Sequence, residues 1–314
     1  MSNFFRICRN SFYDALREPV YALMLATAVV LIYHYPAASL YVFYEQLKMV
    51  TDSALATILL FSFLVATLSA GAVLAREMRN GTVLLLLSKP VSKRGFLLGK
   101  MAGVILASEL FALTLAIATL ISLRIATDQF RFDIPVYLVS LALVALAAVV
   151  ALAANYLQGA AFGQVFSLVL PVALAAELGV LAGVGEHFEF AVGETVKALA
   201  LLLCSVPVAA ALATALSTVL DVVPTLWVMA VLFILGMLSD YFFGRSDALW
   251  SEMLYAAIPA WQLYYLADAL ALNRSIPLTY LAQTALYSAL YIVLVILWAD
   301  FGFRDRESAG RIRN

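Results

Sequence analysis

Apolar runs of about 20 residues recur along almost the whole chain, and nothing else in the sequence restricts its fold so severely. A run of that length crosses a hydrocarbon layer about 30 Å thick as a helix. Eight are legible, at 20–43, 53–75, 96–123, 134–156, 161–183, 195–220, 222–243 and 278–299. Composition agrees: 65% of the 314 residues are hydrophobic and 12% are charged, half the roughly one quarter usual in water-soluble domains. No segment is long and polar enough to fold as a separate soluble domain. The expectation is an all-α integral membrane protein of about eight transmembrane helices, forming one domain over residues 1–314. A six-span alternative would fuse or re-enter two middle segments, because the turns near Gly159 and at Asp221–Pro224 carry no Lys or Arg.

The basic residues orient the spans. Thirteen of the nineteen Lys and Arg fall before the first span, between 76 and 100, or in the tail FRDRESAGRIRN, against six elsewhere. Loops rich in Lys and Arg stay in the cytoplasm, which places both termini there in a multi-pass protein of a bacterial-type inner membrane. Within residues 1–19, Phe4, Cys8, Phe12, Ala15 and Leu16 share one helical face while Arg6, Arg9, Asn10 and Arg17 lie on the others. That pattern suits an amphipathic helix lying along the membrane surface, or a helical extension of the first span. Asp14 and Glu18 are wrong for the basic leader of a signal peptide, so the first span is expected to stay uncleaved.

Residues 76–100, REMRNGTVLLLLSKPVSKRGFLLGK, hold six of those nineteen basic residues. GFLLGK superficially matches a phosphate-binding loop, but Gly95 and Gly99 are one residue too close and Met101 stands where Ser or Thr is needed. The helix it opens runs into an apolar span, so this is no nucleotide site. A lesser reading of the stretch is a positive-inside anchor.

The same stretch resembles the segment between the second and third spans of type 2, exporter-type ABC transporter permeases. Glu77, Gly81, Thr82, Leu84 to Leu87, Ser88, Pro90, Val91, Ser92, Gly99 and Lys100 follow the family's order. The opening RNSFYDALREPVYALML and the closing IPAWQLYYLADALALNRSIPLTYLAQTALYSALYIVLVILWADFGFRDRE are similar to the family's ends. Residues 134–194 look like a helical pair added to the commoner six-span form.

The resemblance implies a permease subunit, not an enzyme, whose cytoplasmic coupling loop at 76–95 docks on a separate ABC ATPase. Arg76, Glu77, Arg79, Gly81, Thr82, Ser88, Pro90 and Lys100 are the implied coupling residues. ATP and Mg would bind that partner, and no cofactor this chain. A homodimer or a heterodimer with a second permease is implied, and no nucleic acid. An ion-coupled secondary transporter and an intramembrane enzyme are the alternatives. Two unrelated histidines, His34 and His187, weigh against an enzyme, and the absence of a clear repeat weighs against a secondary transporter.

Two acidic residues fall inside spans. Inserting Glu109 or Glu177 costs on the order of 3 kcal/mol, so each must face the bundle or be protonated. Either they line a translocation path or gate, or each is bonded to a neighbouring Ser, Thr or Tyr. Asn155, Gln158 and Gln164 flank a turn and read as interfacial. Residues 244–277 are amphipathic and rich in Trp and Tyr, an extracytoplasmic interfacial segment by composition. Ala142, Ala145 and Ala148, and separately VAAALATALST, offer small surfaces on which membrane helices pack closely.

Overall fold

The computed structural model describes residues 3–41, 45–75, 93–127, 131–183, 191–244 and 249–311, which are helical almost throughout. Helices α1 (Asn3–Arg17), α2 (Pro19–Ala38), α3 (Gln46–Ala70) and α4 (Lys93–Ile125) come first. Two antiparallel two-residue strands, β1 (Ala126–Thr127) and β2 (Arg131–Phe132), pair Ala126 with Phe132 and Thr127 with Arg131. Then come α5 (Ile134–Gln158), α6 (Phe162–Gly183), α7 (Val192–Ser217) and α8 (Val222–Met237). The short helices α9 (Ser239–Phe242), α10 (Leu249–Ala257) and α11 (Ala267–Ala271) precede α12 (Leu278–Arg311).

The all-α, multi-span class expected from the sequence is what the structure shows. Among the described residues seven helical segments are long and apolar enough to cross a membrane: Pro19–Ala38, Gln46–Leu74, Arg94–Ile125, Ile134–Gln158, Phe162–Gly183, Val192–Ser217 and Leu278–Asp300. The remaining expected span, 222–243, is the 16-residue α8 followed by the short α9. At 1.5 Å per residue α8 reaches about 24 Å, less than the hydrocarbon thickness. The fused six-span arrangement is not observed. Gly159, left-handed at φ 67°, closes α5, and its N–H bonds back to the Asn155 carbonyl. The Asn155 side chain donates to the Ala160 carbonyl, so the turn into α6 is held on both sides.

Local signals explain the other boundaries. Pro19 ends α1 and starts α2, since proline supplies no N–H yet fits the first helical turn. Asp133 caps α5 by accepting from the Val136 N–H, with Pro135 just inside. α3 starts at Gln46, well before its apolar run, because the polar stretch QLKMVTDS continues the helix beyond the greasy part.

Contacts sort the helix ends into two groups. Gly99 and Gly103 near the start of α4 touch α1, Gly71 at the end of α3 touches Val222 at the start of α8, and Arg94 pairs with Asp300 of α12. These ends lie together, beside the two flanks of residues 76–92. At the other end the start of α7 meets the start of α12: the Ile276 N–H donates to Glu194 at 2.6 Å and Lys197 donates to the Ile276 carbonyl at 3.0 Å. Nearby, Tyr265 donates to Asp52 near the start of α3.

The interior is built on α3, α4 and α7. About 72% of the spanning windows of α3 and α7 is buried within the protein, against 22% for α5. Trp261, Tyr33, Tyr264, Phe111 and Leu115 are among the largest fully buried side chains.

Candidate functional site

Of the residues implied to couple to an ATPase, Arg76, Glu77, Arg79, Gly81, Thr82, Ser88 and Pro90 lie outside the described residues. Lys100 lies within them, and its side chain is buried, with Nζ 5.8 Å from the centroid of the Phe96 ring.

What the end of the basic stretch does is visible in its glycines. Gly99 and Gly103 stand four residues apart on one face of α4, and α1 lies directly on them. A Cβ on Gly103 would come within 2.5 Å of the Ser11 Cβ and 2.6 Å of the Cys8 carbonyl oxygen; one on Gly99 would meet Ile7 at 2.9 Å. The pair is a small-residue seat that lets two helix backbones approach. Reading GFLLGK against a phosphate loop missed this, though the four-residue glycine spacing in GKMAG carried the signal. The buried side of α1 is Cys8, Ser11, Ala15 and Leu16, close to the expected face, and it packs on protein. Tyr21 ties the start of α2 to α4 by donating to the Ala107 carbonyl at 2.8 Å.

On the exposed side of the same end, Arg94 grips Asp300 with two guanidinium nitrogens, at 2.9 and 3.0 Å. The helix that leaves residues 76–92 is therefore joined to both α1 and α12.

The two intramembrane acids stand in different surroundings and are not brought together. Glu109 sits about 22 Å along α4 from Arg94. It lines an open groove of about 710 Å³ with Phe5, Cys8, Arg9 and Phe12 of α1 and Leu203 of α7. Glu177 is buried between α5 and α6, where Ser140 donates to its Oε1 at 2.6 Å. Its Oε2 is buried and has no hydrogen-bond partner among the described residues. Ser140, the partner of Glu177, is a residue that sequence reasoning did not single out. Six residues into α5, Ser140 had no periodic signal to set it apart. His34 of α2 packs edge-on against Tyr137 and bonds within its own helix to the Val30 carbonyl.

Residues 257–265 are anchored in the bundle. Trp261 is wholly buried, donates to the Leu232 carbonyl at 3.1 Å and meets Phe63 edge-on. Three tyrosines of α12 engage its backbone in turn: Tyr280 donates to the Leu263 carbonyl, Tyr287 accepts from the Ala260 N–H, and Tyr291 donates to the Ala257 carbonyl. The segment therefore runs down beside the first half of α12. Gly236 of α8 makes room for it, since a Cβ there would lie 2.3 Å from the Pro259 oxygen. Burial and the adjacent Asp52 carboxylate push the Tyr265 phenol well above its ordinary pKa, keeping it a neutral donor to that acid.

A family model described as ABC-2 family transporter protein matches residues 17–176, just over half of the chain. The match starts at the end of α1 and runs through the Gly99–Gly103 seat, residues 76–92 and most of α6. No curated protein and no solved structure matches the chain.

Proposed function

This chain belongs to the ABC-2 transporter family, and from that premise we propose that it is the permease subunit of an exporter driven by a separate cytoplasmic ATPase. Membership itself makes it a membrane permease of an ABC transporter. The direction of transport and the separate ATPase are our reading, and the match over residues 17–176, which spans the whole basic stretch, carries it. In this reading Arg76, Glu77, Arg79, Gly81, Thr82, Ser88 and Pro90 dock on the ATPase, which holds ATP and Mg. Lys100, at the start of α4, completes the set.

The connections at that end support a route for the stroke. Residues 76–92 join α3 to α4, α4 carries α1 on its glycine seat, and Arg94 fastens α4 to α12. A displacement of the docking segment would therefore move three helices together. The positive-inside split puts this end in the cytoplasm of a bacterial-type inner membrane, and the permease works as a homodimer or with a second permease.

The test is ATPase co-purification and permease-stimulated ATP hydrolysis for Glu77→Gln and Gly81→Val. Both variants should stay folded in the membrane and lose either association or stimulation. Wild-type levels of both in both variants would sink the coupling assignment.

A further inference from the structure

A second groove, of about 720 Å³, opens between α2, α5 and α6. Ala22, Ala26 and Val30 of α2, Ala145 and Ala148 of α5 and Phe166 of α6 are among the residues that wall it. It exists because α5 presents alanines where α2 also presents alanines, and no larger side chain fills the gap. Its volume falls within the range of about 300–1,000 Å³ typical of small-molecule sites.

The groove's length and its mouth identify the occupant. Along α2 it runs from Pro19 to Val30, about 16 Å at 1.5 Å per residue. That is close to half of a hydrocarbon core of about 30 Å, the depth of a single leaflet. At the mouth stands Arg17, an exposed residue at the end of α1, whose Nε donates to Gln164 Oε1 at 2.9 Å. This bond fixes the guanidinium plane and, among the described residues, leaves its terminal nitrogens to bind an anion; a guanidinium matches a phosphate by paired hydrogen bonds. An apolar slot one leaflet deep, opening beneath an oriented guanidinium, has the shape and charge of a phospholipid.

We infer that this groove is a binding site for an anionic glycerophospholipid, with one acyl chain between α2 and α5 and the phosphate on Arg17. The lipid belongs to the leaflet on the side of residues 76–92. Seated there, it braces α5 and α6 against α2 and links the end of α1 to the bilayer. The site is independent of the coupling assignment.

The experiment is native mass spectrometry of the full chain purified in mild detergent, titrated with phosphatidylglycerol or phosphatidylcholine. Wild type should retain phosphatidylglycerol in preference to phosphatidylcholine. Arg17→Ala should weaken phosphatidylglycerol by about fivefold or more, the usual worth of one basic residue at an anionic membrane surface. Arg17→Lys should keep part of that preference. Ala145→Phe should lower retention of both lipids by filling the slot, and excess glycerol 3-phosphate should displace neither. Equal binding of the two lipids by wild type, or unchanged phosphatidylglycerol binding by Arg17→Ala, would overturn the inference. So would displacement by glycerol 3-phosphate, which would make the site a phosphate site without a chain. A change of oligomeric state in Ala145→Phe with lipid retention intact would make the groove a contact between copies, which also overturns it.

Discussion

Two alanine-rich helices, α5 and α7, look alike in sequence and have opposite surroundings. In α7 every residue from Val208 to Ala215 is buried, because α3, α4 and α12 all pack on it. In α5 the buried residues are Ser140, Ala147 and Ala151. Ala142 and Ala145, two of the three alanines whose spacing suggested close packing, are exposed. Small side chains permit approach but do not cause it. Approach in a membrane comes from dispersion contacts and hydrogen bonds, and these require a neighbour on that side. On α7 neighbours surround the helix. On α5 the alanines leave a slot, and a polar bond to Glu177 fastens the pair elsewhere.

If this contrast is right, substitutions should rank by neighbourhood and not by residue type. The largest effect is expected for Ala211→Leu in α7, which has no empty space to enter. Overpacking of this kind costs about 1–3 kcal/mol, and the variant belongs at the upper end because helices enclose the site. Thermal unfolding of detergent-purified protein should show a clear drop. An unchanged midpoint would mean that α7 is not packed as described. A smaller loss, at the lower end of about 1–3 kcal/mol, is expected for Ser140→Ala, which leaves the buried Glu177 carboxyl without its hydrogen-bond donor. Ser140→Ala combined with Glu177→Leu should recover most of that loss, since removing both partners leaves nothing unsatisfied. If the double variant is no better than the single, the bond is not what joins α5 to α6. The smallest effect is expected for Ala145→Leu, within about 0.5 kcal/mol of wild type as for other exposed substitutions. A large loss there would show that α5 has a partner covering its alanines.

The sequence reading stands where the physics is one-dimensional and falters where a neighbour decides. Span positions follow from the length of apolar runs, so α5 and α6 begin and end within two residues of expectation. The start of α3 was set too late because helix formation does not stop where hydrophobicity does, as Gln46 to Ser53 show. The face of α1 was legible from its periodicity, whereas its seat on Gly99 and Gly103 needs the identity of the opposing helix. Glu177 was recognisable as a misfit in an apolar run, but Ser140, 37 residues away in the chain, was not recognisable as its partner. Trp261 and its neighbouring tyrosines were placed at an interface on composition alone. The burial of Trp261 depends on the gap at Gly236, which composition does not encode.

The tyrosine ladder on α12 bears on how the molecule is made. Residues 257–263 place backbone groups among apolar helices, and those at Ala257, Ala260 and Leu263 are satisfied by Tyr291, Tyr287 and Tyr280. These phenols lie later in the chain than the groups they serve. A nascent chain that has passed Pro277 but not yet delivered α12 holds a segment whose polar backbone cannot settle in lipid. That segment must wait in water or beside a helper until α12 arrives. By arriving after the groups it satisfies, α12 acts as the keystone of the end where α7 and α12 begin.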